Sequence, residues 1–161
     1  VSADGRYVIF SSDASNLVPN DSNGSRDVFR FDRQTNQMVR VSLGGSNLQS
    51  PTGGDGLAAS SSGDVVAFVS SSQLDPLDTN SASDVYVRNL GQSTTTRIGV
   101  AAGGGNPNNI GAPTDLAISP DGTLVAFVSD ATNLVSTDTN GVQDVFVTQV
   151  ASGTTFLASS D

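Results

Sequence analysis

The sequence predicts an all-β fold made of three copies of a four-stranded antiparallel unit, and three observations predict it. The chain of 161 residues contains no Glu and no Lys. Those are two of the better helix formers; Ser, Thr, Asn and Gly stand in their place, a mixture that suits strands joined by turns. A motif then recurs: Ser2-Ala3-Asp4-Gly5-Arg6-Tyr7-Val8-Ile9-Phe10 aligns with Ser60 to Phe68 and with Ser119 to Phe127. Finally, each copy reaches an oxygen-rich loop that runs straight into an apolar strand. These loops are Asp21 to Asp27, Asp78 to Asp84 and Asp138 to Asp144. Order and spacing kept across three copies mark an internal repeat, with units at 1–47, 48–106 and 107–161.

Within a unit, the first strand is the short run before the turn, Leu57 to Ser60 or Leu116 to Ser119. In unit one only Val1-Ser2 stand in that place, so the sequence reads as a piece of something longer. The Asp4-Gly5 and Asp121-Gly122 pairs predict tight hairpins, because Gly accepts positive φ without steric cost. The second strand, Leu124 to Val128 and its equivalents, is a continuous apolar run of the kind covered on both faces. The third is Asp144 to Val147, with Asp27 to Phe31 and Asp84 to Arg88. The fourth comprises Met38 to Val41, Thr95 to Ile98 and Thr155 to Leu157; its alternation suits an outer strand wet on one face. Gly44 to Gly56 and Gly103 to Pro113 read as connectors.

A repeating four-stranded unit with two apolar faces cannot bury both alone, and stacking around an axis buries them. That arrangement is the β-propeller. The S-x-D-G-x-x-V-A-F pattern followed by an apolar strand resembles the TolB-like, WD-type propeller repeat of bacterial proteins. The resemblance covers all three units and implies three blades of a propeller. Propellers close with about four to eight blades, so further blades, or copies joined as an oligomer or an open filament, are expected to complete the stack. The repeated aromatics (Phe10, Phe68, Phe127; Phe29, Tyr86, Phe146) are expected between blades.

The loops carry the candidate chemistry. In D-x-N-x-x-x-D, two carboxylates and an amide oxygen are placed to converge on one cation, and Ca²⁺ takes about six to eight such oxygens. The expected ligands are Asp138, Asn140 and Asp144, then Asp21, Asn23 and Asp27, then Asp78, Asn80 and Asp84. Asp130 and Asp13 follow the second strand and are expected to fold back as further ligands. Gly141 and Gly24 allow the sharp turn; the middle copy has Ser81 and is expected to be weakest, while 138–144 is expected to be strongest. The alternative is an ion-free loop whose Asp and Asn side chains bond their own backbone. Like-charge repulsion, with no Arg inside the second and third loops, favours the ion.

Other chemistries are excluded or disfavoured. With no His, Cys or Lys, neither a Ser-His-Asp nor a Cys-His arrangement can be built, and zinc lacks its usual ligands. A net charge of -9 argues against nucleic acid and anionic membranes. No apolar run approaches the roughly 20 residues of a membrane span. The expected function is a non-enzymatic extracellular or cell-surface structural and interaction module with calcium-stabilised loops. The alternatives are a metal-free periplasmic propeller that docks proteins, or the accessory propeller of a hydrolase whose catalytic domain lies elsewhere.

Overall fold

The computed structural model describes residues 1–108 and 112–159, so the connector expected at 103–113 lies partly outside the described residues. Eleven strands are described: β1 (Tyr7–Ser12), β2 (Asp27–Asp32), β3 (Gln37–Arg40), β4 (Asp55–Ala59), β5 (Val65–Ser70), β6 (Asp84–Asn89), β7 (Thr94–Ile98), β8 (Thr114–Ile118), β9 (Leu124–Ser129), β10 (Asp144–Gln149) and β11 (Thr155–Leu157). They form three antiparallel meanders, β1-β2-β3, β4-β5-β6-β7 and β8-β9-β10-β11. The first lacks its leading strand, as the short start of unit one implies. Gly45–Asn47 makes one 3-10 turn in the first connector.

The hairpin after each first strand is wider than a two-residue turn. Among Asp121 and Gly122, only Gly122 has positive φ, at 75°. Gly122 N donates to Ser119 O at 2.9 Å, and Ser119 N closes the loop on Leu124 O at 2.9 Å. The Asp121 carboxylate accepts from Thr123 N at 3.1 Å, so Asp serves here by capping the turn. Ser62 does the same in the second blade, accepting from Asp64 N at 3.2 Å. That explains how the second copy dispenses with Asp. The turns also join the blades: Ala3 N donates to Ser61 O at 2.8 Å, and Ser61 N donates to Pro120 O at 2.9 Å.

The core lies between sheets. Ile9, Val28 and Val41 of the first blade pack with Val66, Phe68, Leu74 and Tyr86 of the second. Ala67, Val85, Val87 and Ile98 on the second blade's other face pack with Val125, Phe127, Leu134 and Phe146 of the third. Cross-strand register pairs the aromatics as Phe10 with Phe29, Phe68 with Tyr86 and Phe127 with Phe146. Their ring centroids are 5.9, 5.9 and 6.0 Å apart. Each fully buried aromatic contributes on the order of 2–3 kcal/mol, so the inter-blade faces hold the fold together.

One glycine fixes how closely two blades approach. Gly99 follows β7 with φ 64°, and a Cβ there would lie 2.6 Å from the Phe127 ring of the next blade. Gly99→Ala combines a disfavoured backbone with a clash against a packed ring. It is expected to destabilise the protein by about 2–3 kcal/mol, read by urea denaturation; an unchanged midpoint would show that Phe127 does not pack there.

Candidate functional site: three buried acidic loops

Each acidic loop connects the second strand of a blade to the third and places its last Asp as the first residue of that strand. The three loops share one conformation. The fourth residue has positive φ in each, at 64° for Gly24, 58° for Ser81 and 69° for Gly141. Ser81 therefore holds the left-handed conformation without Gly, and the middle loop keeps its shape. The Asn side chain makes the same turn in each copy. Asn23 Oδ1 accepts from Ser25 N at 3.1 Å, Asn80 Oδ1 from Ala82 N at 3.0 Å and Asn140 Oδ1 from Val142 N at 3.0 Å. This is the local bonding by which Asn stabilises a turn without an ion.

The carboxylates are buried, and in two loops the cation they face belongs to the chain. Arg40, at the end of β3, puts Nη1 3.0 Å from Asp21 Oδ1 and 3.3 Å from Asp27 Oδ2. Its Nη2 donates to Asn20 O at 3.3 Å. Asn23 Nδ2 donates to Asp27 Oδ2 at 2.9 Å, so this amide turns a donor, not an oxygen, toward the carboxylate. Ser42 Oγ donates to Asp27 Oδ1, and Gln49 Nε2 donates to Asp21 Oδ1 at 3.2 Å.

In the second blade Arg97 takes the same place. Its Nη1 is 3.5 Å from Asp78 Oδ1 and 3.8 Å from Asp84 Oδ2, and its Nη2 donates to Leu77 O at 3.1 Å. Tyr86 donates its phenol proton to Asp78 Oδ2 at 2.6 Å. Burial, then that bond to Asp78, hold the phenol well above its ordinary pKa. Gly99 occupies the position of Ser42, so Asp84 has no equivalent hydroxyl donor. Burial first, and the Asp78 charge second, push the Asp84 carboxyl up to about 6.

In the first two loops the residues expected as calcium ligands therefore lie beside a guanidinium of their own blade. Asp21, Asn23, Asp27, Asp78, Asn80 and Asp84 surround or support a guanidinium. The countercharge comes from the fourth strand, outside the loops themselves. The fourth strand is wet on one face, with Gln37, Val39, Thr94 and Thr96 exposed, while Arg40 and Arg97 lie on its buried side. Asp13 does not fold back: it is exposed and lies 3.4 Å from Arg26. Arg26 reaches Asp13 and Asp55, not the buried pair. Asp130 is half-buried, and no group of three or more His, Cys, Asp or Glu side chains among the described residues is placed to hold a metal.

The third loop differs. Asp138 and Asp144 are 7% and 5% exposed. Both Asp138 oxygens and Asp144 Oδ2 lack a hydrogen-bond partner, whereas in the second loop only one carboxylate oxygen, Asp84 Oδ2, does, with the Arg97 guanidinium 3.8 Å away. Asp144 Oδ1 accepts from Ser159 Oγ, as Asp27 does from Ser42. No guanidinium arrives, because the register opposite the aromatic of the third strand reads Phe29 with Arg40, Tyr86 with Arg97 and Phe146 with Leu157. The phenol is missing too, since Phe146 stands where Tyr86 stands.

Arg97→Leu leaves Asp78 and Asp84 buried without a countercharge and is expected to cost about 3–5 kcal/mol, measured by denaturant unfolding. A loss under about 1 kcal/mol would contradict the buried pairing. Asp84 holds its proton more tightly folded than unfolded. Its contribution to stability therefore falls as pH rises from about 4 to about 6 and is level above that. Asp84→Asn is expected to flatten this segment of the stability–pH curve, and an unaltered slope would remove Asp84 as its source.

Comparison with known proteins places the fold. No family model matches the chain, and no curated protein matches it. Among solved structures it is similar to TolB from Acinetobacter baumannii, at 14% identity over 99% of this chain and 31% of that one, with a TM-score of 0.58. It is also similar to a TolB structure from Agrobacterium tumefaciens, at 16% identity over 97% of this chain and 46% of that one, TM-score 0.56. The β-propeller domain of the Trilobed protease from Pyrococcus furiosus matches at 12% identity over 94% of this chain and 38% of that one, TM-score 0.56. The chain thus spans less than half the length of each of these structures. Three stacked meanders with aromatic faces between them, similar over nearly their whole length to such proteins, are three blades of a TolB-like β-propeller fold.

Proposed function

We propose that the chain is a non-enzymatic structural and interaction module of an extracellular or cell-surface protein. Its end faces dock further blades, and its acidic loops are rigidified by cations, calcium serving where the chain supplies none. The observation that carries the docking is the contrast between repeat-equivalent positions. Val66, Phe68, Val125 and Phe127 are buried, facing the preceding blade; their equivalents Val8 and Phe10 line an open groove of about 350 Å³ with Phe31 and Met38. On the opposite face, Val28 and Val85 are buried, whereas Val145 is 38% exposed, beside Phe156 at 55%. The same surfaces that close the two internal interfaces are open at both ends of the stack. A blade of the same repeat fits each.

The catalytic alternative has little to build on, since the chain holds no His, Cys or Lys. Similarity to the propeller domain of a protease supports an accessory role beside a catalytic domain as readily as an independent one. A metal-free periplasmic docking propeller is the second reading, favoured by the two loops that carry their own guanidinium. Location outside the cytoplasm rests on the calcium reading, because sites with dissociation constants of roughly 10⁻⁴–10⁻³ M fill in extracellular media.

With no further blades supplied, copies are expected to cover one another's end faces. Sedimentation velocity should show self-association at concentrations up to about 0.1 mM. Phe10→Asp and Val145→Asp, on opposite ends, should each abolish it. A folded chain that stays monomeric throughout would contradict the docking role of these faces.

A further inference from the structure

We infer that the third acidic loop is the calcium site of this chain, and that the residue opposite the third-strand aromatic selects between a guanidinium and a metal ion. This rests on the calcium reading proposed above and narrows it to one loop.

Three loops of one shape each bury two carboxylates. Where Arg40 or Arg97 lies opposite the aromatic, the pair is neutralised from within the blade at 3.0–3.3 Å or 3.5–3.8 Å. Where Leu157 lies opposite, three carboxylate oxygens are left without a hydrogen-bond partner, against one (Asp84 Oδ2) beside Arg97 and none beside Arg40. Leu157 packs half-buried against the apolar core, so it offers no donor in exchange. Two carboxylates more than nine-tenths buried, with no guanidinium beside them, favour a small cation in the loop. The atoms presented are hard oxygens, and the chain contains no His or Cys to supply a nitrogen or sulfur ligand. Oxygen-only coordination with adaptable geometry suits Ca²⁺, with backbone carbonyls and water completing the shell; Mg²⁺ demands a stricter octahedron and releases water reluctantly. Asn140 keeps its turn-forming role.

The test is calcium binding by isothermal titration calorimetry, with thermal unfolding in calcium, magnesium or EGTA. The wild-type chain should bind one Ca²⁺ with a dissociation constant of roughly 10⁻⁴–10⁻³ M. Its Tm should rise by roughly 3–6 °C in about 10 mM calcium, with a smaller response to magnesium. Leu157→Arg should abolish binding and make the Tm independent of calcium. If Leu157→Arg does not fold, Asp138→Asn/Asp144→Asn decides: loss of calcium binding supports the assignment, and retained binding overturns it. Calcium binding that survives in a folded Leu157→Arg chain leaves calcium stabilisation standing but overturns the selector role of this position. No calcium binding by the wild-type chain removes both.

Discussion

The structure depends on how the paired carboxylates are held where each third strand begins. Asp27, Asp84 and Asp144 open β2, β6 and β10, and each is buried with the Asp that opens its loop. Two such charges in a dry loop repel, and desolvation adds a penalty of several kcal/mol per ion. In the first two loops a guanidinium offsets that cost. A guanidinium suits this role well, since it is always charged and reaches two carboxylates and a carbonyl at once. Arg40 and Arg97 each do this. By tying the loop to the fourth strand, they also fix the outer edge of their blade to its centre.

The inter-blade faces depend on this arrangement. The aromatic that begins the buried row of the third strand (Phe29, Tyr86 or Phe146) is the register partner of the residue that meets the carboxylates or, in the third blade, of Leu157. Apolar packing toward the neighbouring blade and polar neutralisation toward the loop thus meet at one rung of the sheet. In the second blade they share a residue, since Tyr86 packs with its ring and donates to Asp78 with its hydroxyl. A blade in which this rung slips would lose both the apolar face and the countercharge.

Much of the fold is legible in the sequence because strand patterning is local. Apolar runs, turn residues and repeat spacing place the strands closely, and the short start of unit one foretells a three-stranded first sheet. The loops are legible as acidic turns, but their partners are not. Arg40 lies 13 residues beyond Asp27, on an outer strand whose alternation does not say which face is wet, and pairing across a sheet cannot be read from either segment alone. A signal is nevertheless present: the repeat position of Arg40 and Arg97 is Leu157 in the third copy, and an apolar residue there marks the position as inward. The shape of the Ser81 loop is not legible either, since a left-handed residue in a turn held by its neighbouring Asn does not require Gly.

The central claim is tested most directly by a double-mutant cycle on the first blade. Arg40→Leu would be combined with Asp21→Asn/Asp27→Asn, and the unfolding free energy of all four proteins measured. If the guanidinium is retained to neutralise the buried pair, its removal should cost much less once the charges are gone, with a coupling energy above about 1.5 kcal/mol. Additive losses, with coupling near zero, would contradict it.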